Sequence, residues 1–287
     1  MGWSRWQLVL ASDVPRLDKM HHSTYEILPQ QTFKKPLRLD CRKSARKCSQ
    51  YNSLLFIPCI FQRMSRMSTQ PTVTDGKINF SYGGETFQTY YKLHGSIVDC
   101  TKDPLIVLHG GPGLVHNYLD VHSNLAATHD IPVILYDQLG NGQSTHLREK
   151  AQEFWTVDLF IAELENLIAH FGIQDGYSIL GHSWGGILAS EFEVRKQPPG
   201  LKRLIVADSL AASSLWNKSN AQLLQAFPED VQQGVAGGMK DPEKFGPALQ
   251  KFHARHGCTI VPVPEELSYT MLQVFGPDGD PTVAAAP

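Results

Sequence analysis

From Lys77 onward the hydrophobic and polar positions fall into a regular pattern. Lys77–Tyr82 and Thr86–Leu93 alternate, are rich in aromatics and Thr, and are separated by Gly83-Gly84. That pattern predicts a β-hairpin. Leu105–Leu108, Pro132–Tyr136, Tyr177–Leu180 and Leu201–Ala207 are short continuous apolar runs. Such runs are expected of strands buried on both faces of a sheet. Between them, Val157, Phe160, Ile161, Leu164, Leu167, Ile168 and Phe171 form one stripe at helical spacing. Thr156 is placed to cap that helix and Gly172 to end it. Beyond Ser209 the pattern turns helical, over Leu215–Phe227, Glu243–His256 and Glu265–Phe275, with no comparable strand signal and no internal repeat. Strands alternating with helices after an opening hairpin predict an α/β fold, a mostly parallel sheet with helices on both faces.

Residues 1–67 lack this order. They carry 12 Lys/Arg against 4 Asp/Glu, whereas residues 68–287 carry 14 against 24. The segment reads as a basic, disordered or non-native extension, with Met64 or Met67 as an alternative start. A mitochondrial presequence is the other reading, opposed by Asp13, Asp18 and Glu26. An acidic body excludes a nucleic-acid footprint. No apolar run approaches the length of a membrane span, and Leu54–Phe61 is interrupted by Pro58. Cys41, Cys48, Cys59, Cys100 and Cys258 are odd in number and fit no zinc spacing. They are expected to be reduced thiols in a cytoplasmic protein.

The chemistry concentrates in three stretches. In Ile179-Leu180-Gly181-His182-Ser183-Trp184-Gly185-Gly186 an apolar strand runs into Gly-x-Ser-x-Gly and then into helical Ile187–Lys196. A sharp strand–turn–helix of this kind pushes the Ser183 hydroxyl out above the sheet and aims the Trp184 N–H at a reacting carbonyl. His109-Gly110-Gly111-Pro112-Gly113 also follows a buried strand. Its Gly111 N–H is the expected second oxyanion donor, with Gly110 as the fallback, and His109 is expected to brace the loop. Tyr136-Asp137-Gln138-Leu139-Gly140-Asn141-Gly142-Gln143-Ser144 closes the strand between these two. Asp137 precedes Ser183 and is expected to be structural, because the acid of a Ser-His-Asp set in this kind of fold follows the nucleophile.

Together, and in this order, the three stretches resemble the proline iminopeptidase family over about Ile78 to Val283. These are α/β-hydrolase serine aminopeptidases, related to tricorn-interacting aminopeptidases and amino-acid amidases. The resemblance implies an α/β-hydrolase fold with a helical cap, Ser183 as nucleophile, and Gly111 and Trp184 as oxyanion donors. It implies release of one amino-terminal residue, often Pro, from a small peptide or amide, with no metal or cofactor. On this reading the core spans 68–208 and the cap region 209–287.

The sequence departs from the pattern after Ser183. The later histidines are His253 and His256, both on the Glu243–His256 helix beside Lys251 and Arg255. A solvated helix face is the expected role for both. Asp208 ends the Leu201–Ala207 strand but has no base to orient. Glu265 and Glu266 are candidates for holding a substrate amine, with a solvated helix start as the alternative. The triad acid and base, and the last core strands, are therefore expected to be absent from the chain as written. Leu201–Ala207 then becomes a sheet edge and a route to self-association. A catalytically silent fragment or binding protein, and an esterase or lactonase of the same fold, are the competing functional readings.

Overall fold

The computed structural model describes residues 71–286, apart from residue 99. The basic segment 1–67 lies outside the described residues, and with it Leu54–Phe61, Met64, Met67, Cys41, Cys48 and Cys59. The chain runs β1 (Val73–Tyr82), β2 (Glu85–His94), β3 (Leu105–Leu108), a 3-10 helix (His116–Ser123), α1 (Asn124–His129), β4 (Val133–Asp137) and α2 (Val157–Phe171). It continues through β5 (Tyr177–His182), α3 (Trp184–Lys196), β6 (Leu201–Ala207), α4 (Ser213–Leu224), α5 (Glu229–Gly237), α6 (Pro242–His256) and α7 (Glu265–Phe275).

Among the described residues six strands form one mixed sheet in the order β1-β2-β4-β3-β5-β6. The hairpin is antiparallel, with Phe80 opposite Phe87, and β2 pairs antiparallel with β4. β3 pairs parallel with both β4 and β5, and β5 pairs parallel with β6. The chain thus leaves β3 for one side, to β4, and returns to its other side, to β5. In an open α/β sheet such a reversal opens a crevice beyond the carboxyl ends of the strands.

Side chains alternate across β3 and β4, which fixes two core layers. Ile106, Leu108, Ile134 and Tyr136 meet α2 and α3 through Phe160, Leu164, Leu188 and Phe192. Leu105, Val107, Val133 and Leu135 face the other way, onto Leu119 of the 3-10 helix and Leu180. α2 is bounded as its pattern predicts: the Thr156 hydroxyl accepts the Leu159 N–H, and Gly172 at φ 65° closes the helix. The cap satisfies one of the N–H groups that a helix start leaves without a carbonyl.

β6 departs from its apolar appearance. Unlike β3 and β4 it has no fully buried residue, and Val206 is 46% exposed. Its sequence reads as a buried strand, but among the described residues it pairs only with β5 and forms one edge of the sheet, opposite β1. No helix among the described residues is long and apolar enough to cross a membrane.

Candidate active site

The three sequence motifs leave the carboxyl ends of β3, β4 and β5, which are neighbours in the sheet. Their loops therefore converge at the crevice. Ser183 stands between β5 and α3 with φ 55° and ψ −120°, a conformation that is unfavourable for a residue with a Cβ. The flanking glycines are required by close approach. A Cβ on Gly185 would lie 2.7 Å from the His109 carbonyl oxygen, and one on Gly181 would lie 2.6 Å from the Gly186 nitrogen. The turn is clamped from outside. The Ser183 N–H donates to the Ala207 carbonyl at 3.0 Å, and the Ser209 hydroxyl donates to the Ser183 carbonyl at 2.7 Å. The Ser183 hydroxyl itself makes no hydrogen bond among the described residues.

Trp184 opens α3, so its N–H has no carbonyl within the helix to bond. Gly111 has φ 121° and its N–H has no hydrogen-bond acceptor among the described residues. Gly110 differs: its N–H donates to the Tyr118 hydroxyl at 2.8 Å. The fallback donor is thus already engaged, whereas Gly111 and Trp184 retain open N–H groups.

His109 is fully buried, and its two ring nitrogens have fixed roles. Nε2 accepts the Gln138 N–H at 2.9 Å, so the proton sits on Nδ1, which donates to the Gly110 carbonyl at 3.0 Å. Burial pushes its pKa down to about 4, which keeps it neutral. The Gln138 side chain completes the frame. Its amide nitrogen donates to the His109 carbonyl at 3.1 Å, and its amide oxygen accepts the Trp184 indole N–H at 3.1 Å. One glutamine from the β4 loop therefore ties the β3 loop to the Ser183 turn. His109 braces its loop, as expected. Gln138 was not singled out by the sequence.

Asp137 is buried and structural. It accepts the His116 N–H at 2.9 Å, the His116 Nδ1–H at 2.7 Å and the Gln143 N–H at 2.9 Å. Burial alone would raise its pKa, but these donors hold it below the usual carboxylate range. Asp208, after β6, has φ 47° and faces His182 Nε2 at 3.9 Å.

The other candidates make no hydrogen bond to Ser183 among the described residues. His253 and His256 sit on α6, where His256 packs against Phe227 and Phe252 at ring-centroid distances of 5.6 and 5.1 Å. Glu265 and Glu266 are exposed in the first turn of α7, where a carboxylate is favoured by the helix dipole. No cluster of three or more His, Cys, Asp or Glu side chains suited to a metal ion occurs among the described residues.

The segment after α7 returns to this region. Asp280 accepts from His146 Nδ1 at 2.5 Å and from the Thr282 hydroxyl at 2.5 Å. Val283 is buried beside Gly140 and Trp155, and Ala284 lies against Gly113 of the β3 loop. Sequence reading left these contacts unseen.

The α/β hydrolase fold family matches residues 103–257, more than half of the chain. The proline iminopeptidase of Lactobacillus delbrueckii subsp. lactis is 35% identical over 180 residues, covering 61% of this chain and 60% of that protein. That of Lactobacillus helveticus is 34% identical over 193 residues, covering 66% and 63%. The chain thus spans about 60% of the length of these curated relatives. Among solved structures, VinJ is 38% identical with a TM-score of 0.66, covering 76% of this chain and 72% of VinJ. The proline iminopeptidase of Mycobacterium smegmatis is 32% identical with a TM-score of 0.59, covering 73% and 69%. On this evidence the chain belongs to the proline iminopeptidase family of α/β hydrolases.

Proposed function

We propose that this chain is the nucleophile-bearing part of a serine hydrolase that releases an amino-terminal residue, often Pro, from small peptides or amides. Ser183 is the nucleophile, and the Gly111 and Trp184 N–H groups stabilise the oxyanion. The observation that carries this reading is the strained Ser183 turn set beside two open backbone N–H groups. Attack of Ser183 Oγ on the substrate carbonyl carbon would place negative charge on the carbonyl oxygen. Two N–H donors at the amino end of a helix are suited to hold it. The Ser183 proton must pass to a base, and no described imidazole is bonded to Ser183 Oγ. Turnover by this chain alone is therefore expected to be slow. The same observation supports a second reading, a non-catalytic protein that binds carbonyl compounds at an intact oxyanion site.

Labelling of the full chain with a fluorophosphonate separates these readings. Label should attach to Ser183, disappear in Ser183→Ala, and form about 10³-fold more slowly than in a relative with a full triad, because triad members act as a unit. Label that persists in Ser183→Ala would remove Ser183 as nucleophile. Brisk labelling lost in His253→Ala or His256→Ala would assign a base role to α6. Equal release of p-nitroaniline from free and acetylated Pro-p-nitroanilide would exclude an aminopeptidase and favour the esterase reading.

A further inference from the structure

Among the described residues, the Tyr118 hydroxyl hydrogen-bonds both the β3 loop and the residue preceding Ser183. Tyr118 lies on the 3-10 helix. Its oxygen accepts the Gly110 N–H at 2.8 Å and lies 2.8 Å from His182 Nδ1. Gly110 donates to this hydroxyl, and His182 Nδ1 is the acceptor in reach of its proton among the described residues, which assigns that proton to His182 Nδ1. His182 is then neutral, with its Nε2–H turned toward the Asp208 carboxylate at 3.9 Å. The rings of Tyr118 and His182 also meet edge to face, with centroids 5.2 Å apart. The approach is tight: a Cβ on Gly110 would lie 3.0 Å from Ser183 Cβ, 3.0 Å from the Tyr118 oxygen and 3.2 Å from His182 Nδ1.

We infer that Tyr118 is a positioning residue for the Ser183 site. By taking up the Gly110 N–H, it turns that group away from the oxyanion pocket and leaves Gly111 as the donor from this loop. By bonding His182, it fixes the distance between this loop and the Trp184 N–H, so the two donors converge on one oxygen. The inference rests on the proposed hydrolase reading, since it assigns Tyr118 a part in presenting that oxyanion site. Tyr118 makes no hydrogen bond to Ser183 among the described residues and acts through Gly110 and His182.

The test is Tyr118→Phe in the full chain, which removes only the hydroxyl. A fluorophosphonate series on wild type and variant gives the inactivation rate and the reversible binding constant separately. The inactivation rate should fall about tenfold or more, while the binding constant changes less than about twofold, because misplaced donors cost the reacting state more than the bound state. His182→Asn should give a similar loss. The double variant should be no slower than either single variant, since both remove one link. Imidazole ¹⁵N spectra supply a readout free of chemistry: His182 should be the Nε2–H tautomer in wild type and lose that bias in Tyr118→Phe. Labelling of wild type and Tyr118→Phe at equal rates, or additive losses in the double variant, would overturn the inference and leave the hydrolase reading intact. A wild-type chain that never labels at Ser183 would overturn the hydrolase reading, and the inference with it. A melting temperature for Tyr118→Phe within a few degrees of wild type excludes unfolding as the cause of a loss, and an unfolded variant would pass the decision to His182→Asn and the wild-type tautomer.

Discussion

Ser183 holds its strained backbone because neighbours on both sides leave it no alternative. Its N–H is tied to Ala207, its carbonyl to Ser209, and Gly181 and Gly185 admit the close crossing of β3 and α3. A non-glycine residue in such a region costs on the order of 1–3 kcal/mol. Ser183→Gly should relieve that strain while loosening the unfolded chain, an opposing effect of roughly 1 kcal/mol. Ser183→Ala keeps the Cβ and so keeps the strain. Ser183→Gly is therefore expected to be more stable than Ser183→Ala by about 1 kcal/mol in urea unfolding. The reverse order would show that the positive φ at this position is not a source of strain.

At the scale of elements, α2 carries a buried carboxyl that reports on how the β4 loop is held. Glu163 accepts from the Thr89 hydroxyl at 2.5 Å and from the Leu139 N–H at 3.0 Å. Burial pushes its pKa up to about 7, from an ordinary value of 4.5, although these hydrogen bonds pull it down. The folded chain therefore binds this proton more tightly than the unfolded chain does. The stability it contributes is complete below about 4.5 and is lost as pH rises toward 7, by an amount on the order of 3 kcal/mol. Glu163→Gln keeps an acceptor oxygen for Thr89 and Leu139 and removes the titration. Its unfolding free energy should lack the Glu163-linked decline that wild type shows between about pH 4.5 and 7. Parallel pH profiles for the two proteins would mean that Glu163 is ionised when folded across that range. The elements themselves were largely legible. Val157–Phe171 and Glu265–Phe275 follow from helical periodicity, and Leu105–Leu108 and Leu201–Ala207 from short apolar runs. The Ser183 helix begins at Trp184, three residues before Ile187, because Trp184-Gly185-Gly186 carries no apolar stripe. α5 (Glu229–Gly237) went unseen, since its Gln and Gly residues weaken any helical signal. At the site, the backbone parts could be read because the glycines and Ser183 lie within short motifs. Tyr118 and Gln138 could not be assigned roles, because their bonds depend on β3, β4 and β5 becoming neighbours. That adjacency is set by the sheet order, not by spacing along the chain.

At the scale of the whole molecule, apolar surface is unevenly covered. α2 and α3 cover one face of the sheet and the 3-10 helix the other, whereas β1 and β6 are its edge strands among the described residues, and β6 is the more apolar of the two. α4 has no buried residue, and Leu215 and Trp216 on it are 66% and 53% exposed. Val206 on β6, and Leu272 and Phe275 on α7, are also exposed. An edge strand with apolar side chains presents free N–H and C=O groups to any other strand, and natural edges are usually blunted by charge, Pro or a bulge. Lys202 and Arg203 lie at the start of β6, but Leu204-Ile205-Val206-Ala207 carries no charge. A second copy can pair antiparallel about Leu204 and set Arg203 opposite Ile205, with no two like charges directly opposed. Each 100 Å² of apolar surface covered in this way would contribute about 2.5 kcal/mol before the costs of association. The chain is therefore expected to elute from size exclusion as a dimer or larger species, with the balance shifting toward smaller species on dilution. Val206→Lys places a charge on the open edge at a half-exposed side chain, and should move the population toward monomer while the circular dichroism spectrum is unchanged. A monodisperse wild-type monomer with a cooperative melt would sink the claim. A Val206→Lys protein that associates as strongly as wild type would move the contact from β6 to the exposed faces of α4 and α7.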